Sequence, residues 1–432
     1  MKEKFIKSTF ILLIGGFITK LLGMMIKIVV ARLIGTEGLG MYMLILPTFM
    51  FLINLSQLGL PLALSKLIAE DKKSSKKLFF SALPILISIN LVLIIVVLLL
   101  APFISKALLH EEDVCISIMA MALVIPFTSI SSICRSYFFG KQKMIPHVLS
   151  NITEDLVRLI LMILIIPIIL PFGLKYTVCF LILSNVISEF SSTIILLLFL
   201  PKKIKIKKED IIPDKIYIKE TLHIGIPNTT SRIIGSIAFF LEPIILTNGL
   251  LKSGYSMSFI KTEYGILSGY VIPLIVLPSF FTVAISQALL PVLSKEYANH
   301  NIKNIQKKVK LAVILCLIIT VPITLLLMIK PEFFLNLIYN TTEGANYVKI
   351  LAPICLLEYL QDPLSSCLDA VGKSKNNMIA SLIGMTTRTV LLWVLSPLNL
   401  NLWCYVIAIE TNIFCTTFYQ FIIVRKFFHS AN

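Results

Sequence analysis

Six cations stand inside stretches of sequence too apolar to carry a charge without a reason: Lys20, Lys27, Arg32, Arg158, Arg232 and Arg388. A Lys or Arg near the centre of a bilayer costs at least about 2.5–3.5 kcal/mol, so such a group faces a cavity or a partner. The chain holds 33 Lys and only six Arg, yet Arg32, Arg158, Arg232 and Arg388 all fall in these stretches. A guanidinium offers a planar donor fork suited to phosphate or carboxylate. Lys20 and Arg232 form the leading pair. Each lies about 12 residues, or roughly 18 Å at 1.5 Å per residue, from the polar start of its stretch. Two cations facing one space repel unless an anion or water lies between them. Lys27, two helical turns beyond Lys20, reads either as a second contact or as a side chain that snorkels outward. Arg32, at the end of its stretch, reads as an interfacial anchor.

The buried acids suggest a second kind of chemistry. Arg158 has Glu154 four residues before it and Asp155 beside it, which an intrahelical pair explains. Arg388 has no acid on its own helix, so the sequence assigns it Glu358, Asp362 or Asp369, of which Glu358 and Asp362 share a face. Together with Glu242, these residues make the expected buried charge network. It is the place where Na+, H+ or the membrane potential would couple to a movement. Asn54, Gln57 and Gln287 are uncharged polar groups that either line a cavity and bond a sugar or hold helices together. Covalent catalysis has no support: H-E-x-x-H, G-x-S-x-G and Walker A patterns are missing from the sequence. The eight cysteines include no C-x-x-C pair, which argues against a zinc site, and no cofactor is implied.

The elements that hold these residues follow from composition. Of 432 residues 57% are hydrophobic and only 14% charged, with a net charge of +16. Mean hydropathy is +0.92. A soluble domain carries roughly 25% charged residues. The basic excess would point to nucleic acid in a soluble chain, but here it is interrupted by apolar runs long enough to span a bilayer, which takes about 20 residues each. The sequence therefore predicts an all-α integral membrane protein. Twelve helices are expected, near 8–34, 41–64, 78–105, 114–139, 147–170, 176–200, 221–247, 263–291, 309–329, 350–371, 378–397 and 402–424. The basic N-terminus and first apolar stretch read as a retained span. Of the 39 Lys and Arg, 27 are assigned to the termini and to every second loop, Arg135 and Lys310 near helix ends being counted with the adjoining loops, while six fall in the intervening loops. That asymmetry predicts cytoplasmic N and C termini.

Short matches recur between the two halves. Thr19-Lys20-Leu21-Leu22-Gly23 matches Ser231-Arg232-Ile233-Ile234-Gly235 at an offset of 212 residues. Ser56-Gln57 and Pro61 match Ser286-Gln287 and Pro291 at 230, as do Arg158 and Pro167 with Arg388 and Pro397. Six helices per half keep both repeats in one orientation, so a pseudo-two-fold axis along the membrane normal is expected, with a cavity between the halves. The division is 1–205 for the first lobe, 206–220 for a basic cytoplasmic linker and 221–432 for the second lobe.

The run from Gly35 to Tyr42, then Gln57-Leu58-Gly59-Leu60-Pro61, then Ser65 to Glu70, resembles the polysaccharide-transporter branch of the multidrug/oligosaccharidyl-lipid/polysaccharide (MOP) flippase superfamily. The likeness is to its sporulation members, and Arg135 to Gly140 followed by Glu154 and Arg158 fits them too. Thr19-Lys20, Gly23, Lys27 and Val30-Ala31-Arg32 are similar to the first-helix pattern of the related lipid II flippases. The resemblance implies two six-helix lobes, alternating access and a monomer in the bacterial cytoplasmic membrane, the forespore membrane included. It further implies export of a polyprenyl-diphosphate-linked saccharide or peptidoglycan precursor. Lys20 and Lys27 would meet the diphosphate, and Arg232 joins them through the internal repeat. Where the lipid II pattern prefers Arg, this chain has Lys, and it stops at twelve expected helices where longer relatives add two associated with a lipid tail. The main alternative is a cation-coupled multidrug exporter of the same superfamily. A membrane glycosyltransferase or polymer ligase, and a non-transporting scaffold for spore-envelope assembly, are further ones.

Overall fold

The apolar runs lack the period-two alternation of strands. In the computed structural model every regular element among the described residues is helical. The structure describes residues 2–70, 74–200 and 213–430, so 206–212 of the basic linker expected at 206–220 lie outside the described residues. The helices are α1 (Lys2–Gln57), α2 (Leu60–Ala69), α3 (Ser75–Phe103), α4 (Cys115–Gly140), α5 (Met144–Ile169), α6 (Leu174–Leu198), α7 (Lys215–Lys252), α8 (Met257–Gly265), α9 (Ile272–Val276), α10 (Ser279–Ala298), α11 (Ile302–Ile329), α12 (Pro331–Tyr339), α13 (Ala345–Ala370), α14 (Ser374–Leu395) and α15 (Trp403–Ser430).

Among the described residues, nine helical stretches are long and apolar enough to cross a membrane, from Ser75–Leu108 to Trp403–His429. Three further expected spans fall on the two arms of α1 and on α13. The exposed faces of α3 and α5 are themselves apolar, with Leu99 73% and Ile168 65% exposed. A lipid environment accepts such faces, whereas a soluble monomer rarely exposes them contiguously.

Two expected spans are broken where the sequence alone predicts continuous helices. The arm of α1 over residues 36–57 stops at Leu58-Gly59, where both residues have positive φ, and Pro61 sits in the first turn of α2. Gly59, at φ 61°, supplies the left-handed turn at least cost, and Pro cannot continue a helix from behind. The span expected at 263–291 is likewise divided: a π-helical turn (Ile266–Val271) joins α8 to α9, and α10 begins after Leu277-Pro278. At the other end of its arm, α1 breaks at Gly35 (φ 67°, ψ −178°), a backbone region that is essentially restricted to glycine.

The chain separates into two compact units, Met1–Ile244 and Ile245–Asn432. In the first unit α4 packs on α3 and α6, and α5 on α1 and α6. Its core joins Met41, Ile45 and Phe49 of α1 to Ile118, Met121 and Ile125 of α4 and Ile182 of α6. In the second unit α13 packs on α10, α11 and α15, and α14 on α15. Leu293, Ile305, Leu368 and Phe427 belong to its core.

Candidate functional site

The 2–34 arm of α1 has three faces. Gly15, Leu22, Ile26 and Val30 are packed, and the approach is close: a Cβ on Gly15 would lie 2.3 Å from Val148 Cγ1 of α5. Ile14, Phe17, Leu21 and Met25 form an exposed apolar face. Gly16, Lys20, Gly23 and Lys27 are spaced i, i+4, i+7, i+11, and so share the third face. Both lysines are exposed, and a Cβ added at Gly16 or Gly23 would meet nothing within 4 Å. Lys27 lies within electrostatic reach of Lys20. The expected basic pair on helix 1 thus stands on an open face, and the two glycines between and before them keep that face unobstructed.

Arg232 is exposed on α7, in the same unit. One turn further on, the Ser236 hydroxyl donates to the Arg232 carbonyl (2.9 Å) and accepts from Asn54 Nδ2 (2.8 Å). Phe51 and Phe240 stack at 5.3 Å, and a Cβ on Gly225 would lie 2.9 Å from the Leu58 carbonyl oxygen. These contacts run in opposite senses along the two chains, so the 36–57 arm and α7 are antiparallel. Gln57, between the Asn54 and Leu58 contacts, is half-buried. Asn54, expected either to bond a sugar or to hold helices together, has a protein partner. Gln287 is exposed on α10 of the second unit.

A buried charge cluster forms a second centre in the first unit. Arg135 of α4 donates through Nη2 to Glu189 Oε2 of α6 (2.8 Å) and Ser192 Oγ (2.8 Å), and pairs with Glu154 of α5. Arg158 pairs with Glu154 one turn away, reaches Ser188 Oγ at 3.4 Å, and lies 3.8 Å from Asp155 Oδ1. Glu154 and Glu189 are 9% and 7% exposed. The cluster sets two guanidinium groups against three carboxylates on three helices. The i,i+4 pair of Glu154 with Arg158 is present as the sequence predicts, but it belongs to a larger network. Sequence reasoning missed Arg135 because it assigned that residue to the basic loop after helix 4. The available signal was Glu189, an acid in an apolar helix with no cation within two turns on that helix to meet it. Glu242, on α7, is 3% exposed.

In the second unit Arg388 donates to the Tyr405 hydroxyl (2.8 Å). Asp362 accepts from Thr282 Oγ1 (2.5 Å), and Glu358 lies within electrostatic reach of Asp362 and Arg388. Asp369, the third expected partner, is exposed at the end of α13 beside Asn377 Nδ2 (3.4 Å). Gln420 ties Ser365 and Asn377 together at 3.0 and 2.9 Å, and Gln361 donates to Thr417 (3.0 Å). Polar residues of this kind hold membrane helices at close range.

The chain is similar to known proteins along most of its length. The family described as polysaccharide biosynthesis protein matches residues 5–297, and the MatE family matches 268–394. The chain is 32% identical to Stage V sporulation protein B of Bacillus subtilis (strain 168), over 98% of this chain and 84% of that protein. It is 21% identical to Lipid II flippase MurJ of the same organism, over 90% of this chain and 77% of that one. Its fold is similar to that of a solved structure described as the inward-facing conformation of a multidrug resistance MATE family transporter of the MOP superfamily. The TM-score is 0.74 at 16% identity, covering 96% of this chain and 95% of that one. The chain is a multi-pass membrane protein and a transporter rather than an enzyme. It belongs to the polysaccharide biosynthesis protein family, within the MOP transporter superfamily.

Proposed function

We propose that the chain is an alternating-access flippase that carries an anionic, polyprenyl-diphosphate-linked saccharide or peptidoglycan precursor from the cytoplasmic to the outer face of the membrane, in spore cortex or other envelope synthesis. It works as a monomer with twelve spanning helices in two six-helix lobes, 1–205 and 221–432, and with both termini cytoplasmic. The observation that carries this reading is the open basic face of α1. Lys20 and Lys27 are exposed there beside two glycines. A charge at that depth is too costly to face hydrocarbon, so the face fronts water or a polar ligand. The neighbouring exposed face of Ile14, Phe17, Leu21 and Met25 is apolar. One helix thus offers a cationic surface to a diphosphate and an apolar one to its lipid. Arg232 and Gln57 of the same unit complete the substrate contacts. The relative named Lipid II flippase MurJ supports a lipid-linked substrate, and the one named Stage V sporulation protein B supports a part in sporulation.

The buried charges provide the coupling. Arg135, Glu154, Arg158 and Glu189 in the first unit, Glu242 on α7, and Glu358, Asp362 and Arg388 in the second hold more carboxylates than guanidinium groups. A proton or Na+ can therefore bias one arrangement of the helices over another. An inside-negative potential drives outward movement of an anion by about 2.3 kcal/mol per charge per 100 mV.

The carboxylate excess also favours a second reading, a cation-coupled multidrug exporter. Reconstituted vesicles separate the two. Flipping of a defined polyprenyl-diphosphate saccharide that accelerates under an inside-negative potential supports the flippase. Efflux of a cationic drug with no movement of that lipid supports the exporter.

A further inference from the structure

Three helices of the second unit, α11, α13 and α15, frame a groove of about 450 Å³. Its floor is apolar, with Val309, Leu364 and Val424 buried, and Phe421 and Phe428 flank it. Its basic lining residues are Lys310, Arg425 and His429, all exposed, and no carboxylate lines it. Lys310 lies near the start of α11 and Arg425 near the end of α15, so both mark the ends of membrane-crossing stretches. The same level holds Tyr297 packed on Phe427 (ring centroids 6.2 Å apart), with Lys373 Nζ 5.1 Å above the Phe427 ring. Aromatic and basic groups together mark the boundary between hydrocarbon and water.

A slot with a dry floor and a cationic mouth at that boundary suits an amphiphile with an anionic head. We propose that the groove is a binding site for an anionic bilayer phospholipid, with an acyl chain along Val309, Leu364 and Val424 and the phosphate held by Lys310 and Arg425. The Arg425 fork can take two phosphate oxygens at once, and Lys310 adds a second charge. A neutral phospholipid gains the floor but not the mouth, and free phosphate gains the mouth but not the floor. The site lies wholly within the second unit and is independent of the substrate carried, so it stands or falls separately from the flippase reading.

The test uses the full chain, delipidated in detergent and titrated with phosphatidylglycerol, phosphatidylcholine or inorganic phosphate. Lipid retention is read by native mass spectrometry and stability by thermal melting. Phosphatidylglycerol should be retained and should raise the melting temperature, while the other two should not. The K310Q/R425Q variant should melt as the parent does without lipid, yet hold phosphatidylglycerol about fivefold more weakly for each charge removed. The K310R/R425K variant should restore retention. V313W, which narrows the slot without touching a charge, should also lose retention and serves as a second arm if the glutamine variant folds poorly. Equal retention of phosphatidylglycerol by K310Q/R425Q and the parent overturns the proposal. So does equal stabilisation by phosphatidylcholine, reproduction of the shift by inorganic phosphate alone, or unimpaired retention by V313W.

Discussion

Arg135 and Glu189 meet across α4 and α6 at 2.8 Å, and the same guanidinium also holds Glu154 of α5. One arginine therefore ties three helices of the first unit together through charge, in a place where water is scarce. Removing one partner of a buried pair costs about 3–5 kcal/mol, because the other charge is left uncompensated. R135Q should accordingly destabilise the protein by an amount of that order, measured by denaturant unfolding in mixed micelles. R158Q should cost less, since Arg135 still holds Glu154. Equal losses for the two variants would contradict this picture.

Two glycines on one arm of α1 should respond oppositely. Gly15 has Val148 side-chain atoms 2.3 and 2.6 Å from where its Cβ would be, whereas Gly23 has nothing within 4 Å. G15V overpacks that contact and should cost about 1–3 kcal/mol. G23A should melt at or slightly above the parent temperature, as expected for Gly to Ala in an unhindered helix. A G15V protein as stable as the parent would show that α1 and α5 are not packed at this point.

The break in the second span was readable in part. Gly59 and Pro61 stand in the sequence, but apolar residues on both sides mask the turn, and only the positive φ of both Leu58 and Gly59 makes it a true interruption. The spacing of Gly16, Lys20, Gly23 and Lys27 placed them on one face from the sequence alone. That this face is open, while Gly15 next door is packed, depends on where α5 lies. Asn54 was ambiguous between sugar contact and helix glue, because the choice depends on Ser236, 182 residues away. Arg388 was assigned to acids, and Glu358 does lie within its electrostatic reach, but it also donates to the Tyr405 hydroxyl, a partner that charge pairing alone does not suggest.

The Asn54–Ser236 bond gives a coupling test. Hydrogen bonds between membrane helices average about 0.6 kcal/mol by double-mutant cycle and reach roughly 1.7. A cycle of N54A, S236A and the double variant should show positive coupling in that range. A coupling of zero would assign Asn54 to the open space rather than to α7.

At the polar end of α10, the Lys308 ammonium donates to Glu296 Oε1 at 2.7 Å and holds that carboxyl below the usual carboxylate range. The folded chain then binds this proton less tightly than the unfolded chain does. The stabilisation is complete above the unfolded value of about 4.3 and fades as pH falls through the lower folded value. K308M should melt less steeply with falling pH than the parent across the acid limb. Parallel melting curves would contradict the pairing.

The central claim is that cations on α1 and α7 receive the diphosphate of a lipid-linked substrate. The most direct measurement is the flipping rate of a defined polyprenyl-diphosphate saccharide in proteoliposomes containing K20Q/R232Q, compared with the parent and with K20R/R232K. The account predicts that the neutral variant folds and reconstitutes as the parent does but flips at background rate, and that the charge-retaining variant keeps activity. Undiminished flipping by K20Q/R232Q would contradict it.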